Sequence, residues 1–342
     1  MKCLTKTRLG TARRCMREHK IVFIDGYRPA EEAKPLFFGS LIHAGLEAIW
    51  KGSVPEWPAN ADPFDVAKAR PMLAGYAARW DPSLYEVLGV EQEFRCPLVN
   101  PATGVASRTW ELAGKLDAVV REKSTGRMLA VEHKTSSEDF QLGSTYMTRL
   151  ALDTQVSVYF CGAKSLGYDV AGMLYDVLGK PGLQPKQIAL TDADGVKIVH
   201  DDSGARVMTK DGKKWRETGS SADGYILQTR DETAAEFEAR VASAIMADPE
   251  FYYARGEVVR LEKEMSDAMV DVWDSAKIIH EAETAGRAPR NPDACKQWGR
   301  MCSFFPVCSG AETIENKMLY THSENLHPEL SGESSQPAKE PQ

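Results

Sequence analysis

The 342-residue sequence predicts an α/β fold, a mixed sheet flanked by helices. Three observations predict it. Segments at about 90–98, 109–120, 128–135 and 172–178 are β-prone, and the second and third flank the turn-like Ser124-Thr125-Gly126. Helical spacing of apolar residues marks about 37–51 and 64–79, and a further helix is expected over about 147–163. A hydrophobic content of 43% over this length can bury a large core, as one elaborated domain or two.

Taken in order, residues 1–30 are a basic lead-in. The first 20 carry seven Lys or Arg against the single acid Glu18, which suits a phosphate-contacting surface and equally a solvated terminus. The helix over 37–51 sets Phe38, Leu41, Ile42 and Ile49 on one stripe, with His43 inside it. Glu93 on the first strand reads as a solvated edge glutamate. Residues 31–180 form the expected core, and 181–225, rich in Asp, Gly, Lys and Ser, a polar insertion. Helices are expected over 232–247 and 256–285 within a region 226–310 that ends in cysteines. Residues 311–342 hold six acids and two lysines in a Pro/Ser/Glu-rich tail expected to be disordered, which accounts for a net −4 of the chain's −7.

The segment GKLDAVVREKSTGRMLAVEHK, 114–134, carries the chemistry. Folded about its turn, positions summing to 249 lie opposite each other, so Asp117 faces Glu132. Lys134, two further along, shares that face. Leu116, Ala118, Val119, Val120, Leu129, Ala130 and Val131 surround these charges, and charges in apolar sheet are costly unless paired or bound to metal. Two carboxylates and an amine at one sheet edge suit a hard divalent cation and a water that it activates.

Asp117 followed by Glu132-x-Lys134 resembles the PD-(D/E)XK nuclease superfamily, with Leu116 where the family name has proline. The resemblance implies a restriction-endonuclease-like core in which Asp117 and Glu132 hold Mg²⁺ or Mn²⁺. Gly39-x-x-x-His43 resembles the helix of the RecB-like branch whose histidine adds a metal ligand. Gln155-x-x-x-Tyr159, one helical turn apart, resembles the motif that follows the active hairpin in RecB-like and CRISPR-associated adaptation nucleases.

Seven cysteines stand at 3, 15, 96, 161, 295, 302 and 308. Cys295, Cys302 and Cys308 cluster near one end, and Cys15 stands near the other. Zinc sites usually show close CxxC pairs, and none occurs. Disulfides would imply an oxidising compartment, whereas the chain shows no charged-then-apolar leader pattern and an odd cysteine number. The arrangement resembles the iron-sulfur staple of AddB-type and CRISPR-associated nucleases, which implies a [4Fe-4S] cluster on Cys15, Cys295, Cys302 and Cys308. Cys3 rivals Cys15 but lies nearer a terminus expected to be loose. Cys96 and Cys161 read as buried thiols.

No apolar run approaches the ~20 residues needed to span a bilayer, and no phosphate loop, GxSxG or HExxH occurs, so any motor would be a separate partner. The resemblance implies a metal-dependent DNA exonuclease acting from free ends, in the cytoplasm of a bacterial cell or phage-infected host. Its setting would be phage or prophage recombination, repair or CRISPR-type adaptation. The substrate includes single-stranded DNA among its candidates, and a recombinase, helicase or adaptation complex is the kind of partner expected. A homo-oligomer and no membrane contact complete the expectation. Asp117, Glu132, His43 and the backbone carbonyl of His133 would hold the ion, Lys134 would orient or deprotonate the water, and Gln155 and Tyr159 would position the strand. The rival readings are an idle DNA end-binding scaffold, a restriction-type endonuclease and a zinc-stapled interaction protein.

Overall fold

The computed structural model describes residues 1–31, 34–297 and 299–330. Contacts divide the chain into two compact units. One holds residues 1–56, 76–179 and 250 onward, and the other holds 57–75 and 180–249. The helices are α1 (Lys6–Arg14), α2 (Met16–Phe23), α3 (Lys34–Trp50), α4 (Pro63–Arg79), α5 (Thr145–Thr148), α6 (Thr154–Ser165), α7 (Ala234–Ala247), α8 (Pro249–Tyr252), α9 (Glu262–Thr284) and α10 (Phe305–Ser309). The strands are β1 (Lys2–Leu4), β2 (Tyr27–Pro29), β3 (Tyr85–Val99), β4 (Ala106–Glu122), β5 (Met128–Ser136), β6 (Gly172–Gly179) and β7 (Gln187–Ala189). They continue as β8 (Val199–His200), β9 (Ile226–Leu227), β10 (Thr229–Asp231), β11 (Tyr253–Val258), β12 (Lys296–Gln297), β13 (Arg300–Met301) and β14 (Tyr320–His322).

The first unit is built on a mixed sheet in which β4 is the pivot. Strand β3 lines one of its edges antiparallel along nearly its whole length. The other edge is shared. Parallel β1 takes 110–112, and antiparallel β5 takes 118–121. Between them, positions 113–117 have no ladder partner on that edge among the described residues. The β4–β5 register pairs Ala118 with Val131 and Arg121 with Met128, so opposed numbers sum to 249 as the sequence requires. The ladder stops one pair short of Asp117 and Glu132. There β5 leaves β4 and runs parallel to β6, from Leu129 opposite Gly172 to Ser136 opposite Gly179.

Burial explains the composition of these strands. All eight residues of β6 and Leu129–His133 of β5 are buried, as befits parallel strands covered on both faces. Leu116, Val119, Ala130, Val156, Met173, Val177, Val272 and Ile279 belong to one core.

Four expectations are corrected. The helix expected from 256 begins at Glu262, because 253–258 pair antiparallel with β6 as edge strand β11. Apolar spacing across Val258 and Leu261 mimicked a helix that starts only where Glu264 accepts from the Leu261 main-chain N–H at 2.8 Å. The helix expected over 147–163 is broken at Asp153, whose carboxylate caps α6 by accepting from Gln155 N at 2.7 Å. Cys3 is not in a loose terminus. It lies in β1 opposite Glu111, and Arg95 donates to its sulfur at 2.8 Å. Residues 320–322, expected in a disordered tail, pair with β2, and Tyr320 is buried against Phe304. The remainder of that tail, from 331, lies outside the described residues.

In the second unit β7 pairs with β10 and β8 with β9. Helix α7 opens with a capping box between Thr233 and Glu236, and Phe237 is buried with Phe64 5.7 Å away.

Candidate functional site at the fork of the sheet

The fork between β4 and β5 exists because a side chain replaces a backbone partner. Asp117 Oδ2 accepts from the main-chain N–H of His133 at 2.8 Å, at the point where the strands part. The same oxygen lies 3.2 Å from His133 Nδ1 and 3.6 Å from His43 Nδ1. His43 is brought in by α3, which packs over β5 so closely that a Cβ on Gly39 would sit 3.6 Å from Thr135 Oγ1.

Side chains alternate along β5, so Glu132 and Lys134 share a face and His133 takes the other. Lys134 Nζ forms an ion pair with Glu132 Oε1. Gln155, from the first turn of α6, donates to the same oxygen at 2.6 Å. Among the described residues, Glu132 Oε2 and Gln155 Oε1 are buried without a hydrogen-bond partner. Tyr159, one turn on, stands within the field of Glu132 and Lys134. Its place is set by Phe94, whose ring meets it edge-on at 5.8 Å. A Cβ on Gly114 would stand 2.7 Å from Phe94 and 3.1 Å from Tyr159, so only glycine fits there without displacement.

Electrostatics divide the site into groups of distinct protonation. Burial pushes His43 down to about 4 against the pull of Asp117, which leaves a neutral imidazole at neutral pH. Burial pushes Glu132 up to about 7, with Lys134 pulling it down and Asp117 adding to the rise. Burial would also raise Asp117, but His43, the His133 hydrogen bond and Lys134 outweigh it and hold the carboxyl well below its usual range. Burial would lower Lys134, yet Glu132 foremost among its neighbours holds it above its usual value.

The structure thus links Asp117 with His43 and His133, and Glu132 with Lys134 and Gln155 beside Tyr159, and the charges of the two sets act on each other. As placed, no three His, Cys, Asp or Glu side chains among the described residues stand close enough to hold a metal ion. The donor chemistry nonetheless fits a hard cation: two carboxylates, a neutral imidazole and a buried carboxylate oxygen lacking any partner.

Two nearby groups escaped sequence reasoning. Glu91 is opposite Asp117 in the register of β3, between the pairs Val90–Ala118 and Gln92–Leu116. It is the one non-glycine residue with positive φ (52°) among those described, and it is ion-paired with Lys115. Glu93, the acid the sequence singled out on this strand, is exposed. Exposure is what the favoured solvated-edge reading of Glu93 requires. Lys6, on α1, lies in the field of Lys134, Glu132, Asp153 and Arg149.

The cysteines gather elsewhere in the same unit. Cys15, between α1 and α2, lines one cavity of about 410 Å³ with Cys295, Cys302 and Cys308. All four are free thiols, and Ala294, Phe304 and Phe305 supply apolar wall. Burial pushes the Cys302 and Cys308 thiols up. The backbone ties the segments: Arg17 N donates to Pro289 O at 3.1 Å, and Asn291 Nδ2 to Arg14 O at 2.9 Å.

Among the described residues no helix is long and apolar enough to cross a membrane. A family model, the PD-(D/E)XK nuclease superfamily, matches residues 4–309. No curated protein matches. Among solved structures, the crystal structure of SSO0001 aligns at 19% identity and a TM-score of 0.29. That alignment spans 52% of this chain and 62% of the other.

Proposed function

The chain belongs to the PD-(D/E)XK nuclease superfamily, and on that premise we propose that it is a metal-dependent DNA exonuclease hydrolysing phosphodiester bonds from DNA ends. One observation carries this reading. Glu132 is a carboxylate with a 2% exposed side chain, paired to Lys134 on one oxygen and unpartnered on the other, beside the fork that holds Asp117.

Asp117, Glu132, His43 and the backbone carbonyl of His133 would hold Mg²⁺ or Mn²⁺. When bound, the ion supplies Lewis-acid stabilisation and a water of lowered pKa. Because Glu132 keeps Lys134 protonated, Lys134 serves by orienting the attacking water and steadying charge on the phosphoryl oxygens, rather than as a base. Gln155 and Tyr159 hold the strand by hydrogen bonds that add no charge. A bond forms from water oxygen to phosphorus and the bond to the sugar oxygen breaks, leaving a phosphate monoester and a hydroxyl.

The four-cysteine cavity supports a [4Fe-4S] cluster on Cys15, Cys295, Cys302 and Cys308. Protein purified without oxygen should carry iron and acid-labile sulfide in equal amounts. Zinc in their place would overturn that part of the reading. The setting, recombination, repair or CRISPR-type adaptation in a phage or prophage context, rests on the order of motifs from Cys15 to Cys308.

The test is degradation of end-labelled linear DNA with Mn²⁺ or Mg²⁺, beside Lys134→Ala and a closed circle. Metal-dependent loss of linear DNA that spares circles and vanishes in the variant is the expected result. Cutting of circles would point to an endonuclease. Binding of ends without cleavage would leave a scaffold.

A further inference from the structure

Behind Asp117 a buried chain of hydrogen bonds crosses the sheet from β5 to its edge at β11, and each link constrains the next. Arg255 grips Asp176 through Nε at 2.6 Å and Nη2 at 2.7 Å. Asp176 is fully buried and accepts both of these bonds. Tyr76, from the last turn of α4, donates to Asp176 Oδ2 at 2.8 Å. Its oxygen can then accept from Trp50 Nε1, 3.2 Å away.

The same indole N–H stands 3.1 Å from His133 Nε2. Tyr76 Oη stands 3.0 Å from Nε2 and Asp176 Oδ2 3.9 Å from it, so Trp50, Tyr76 and Asp176 together hold that edge of the ring. On the other side of the ring, Asp117 Oδ2 lies 3.2 Å from Nδ1, where an Nδ1–H would donate to it. Every contact of Asp117 described above falls on Oδ2, from the main chain and ring of His133 and from His43. Oδ1 is left for a ligand.

We propose that His133 is a positioning residue for Asp117: Trp50, Tyr76, Asp176 and Arg255 hold its ring from behind, and its Nδ1–H fixes the carboxylate so that one oxygen faces the cleavage site. The inference rests on the reading of Asp117 as a metal ligand. It assigns the side chain of His133 a role separate from its main-chain carbonyl, which every variant retains. Partners behind a ligand commonly cost 10–100-fold in metal affinity or activity when removed.

Nitrogen-15 histidine labelling of the full chain tests the Nδ1–H without any catalysis, with the His133 signals assigned by their absence from His133→Asn. A proton on Nδ1, hydrogen-bonded to the Asp117 carboxylate, is expected, and a bare Nδ1 overturns the proposal. The second arm compares His133→Phe, which keeps a ring without a donor, with His133→Asn, whose amide replaces the Nδ1–H. Mn²⁺ binding followed by paramagnetic resonance, and kcat, should fall about 10–100-fold in the Phe variant with KM for DNA little changed. The Asn variant should recover a large part of both. Equal loss in the two variants, with melting temperatures matched, overturns the proposal. A wild-type protein that shows the Nδ1 proton and binds Mn²⁺ but cleaves no DNA removes the nuclease reading instead, and leaves the positioning role standing.

Discussion

Glu132 is the residue on which the proposed chemistry turns, and its burial sets a proton balance. With its carboxyl raised to about 7, the site keeps that proton below neutrality, and a cation must displace it. His43, pushed down to about 4, needs no deprotonation in that range. Mn²⁺ affinity should therefore rise with pH up to about 7, by at most about tenfold per unit, and flatten above it. Calorimetric titrations at several pH values would check this, and affinity falling as pH rises would contradict it. Replacing Lys134 by Ala should lower kcat by about 10²–10⁴-fold while DNA binding persists, read by single-turnover cleavage beside a filter-binding assay. Glu91 left no local signal: its place opposite Asp117 comes from the β3–β4 pairing, and its backbone adopts a positive φ that nothing in the sequence announces.

At the scale of elements, the hairpin was legible because turn residues and apolar alternation agree, which fixes the register without further help. The fork was not, since its cause is a side chain capping a backbone N–H across strands. Strand β11 was hidden for a different reason: its pairing to β6 spans about 80 positions of sequence, and local apolar spacing favoured a helix. The network of Trp50, Tyr76, Asp176 and Arg255 comes from four elements and has no local signature. Helix α6 carries Gln155 and Tyr159 and is held at its start by Asp153. Asp153→Ala should cost about 0.5–2 kcal/mol, seen as a lower denaturation midpoint. It should weaken cleavage as well, because the capped N–H is that of Gln155 itself. Gly114→Ala should cost about 1–3 kcal/mol by forcing Phe94 and Tyr159 aside. A neutral effect in thermal melts would contradict that packing.

Across the whole first unit, segments far apart in the sequence, around Cys15 and around Cys295–Cys308, meet at the cysteine cavity. Ile21, Phe304 and Tyr320 form a small core beside it, with Val22, Tyr27 and Cys302 packed against them. A cross-link there would close a loop of about 280 residues, for which chain entropy alone gives a ceiling of about 5 kcal/mol. Cys15→Ser should therefore lose the metal content of the cavity and lower the melting temperature, with the fork's own contacts retained. Unchanged stability would mean that the small apolar core, rather than the thiols, joins those segments.

That meeting of distant segments also orders events in time. Cys15 leaves the ribosome 280 positions ahead of Cys295. At about 5–20 residues per second, translation leaves the thiol alone for roughly 14–56 s, long after β4 and β5 have emerged. Strand β1 can find β4 within that interval, but α2 cannot find its partners near Phe304. A nascent chain therefore carries β1, β4 and β5 for that interval beside an unfinished clasp.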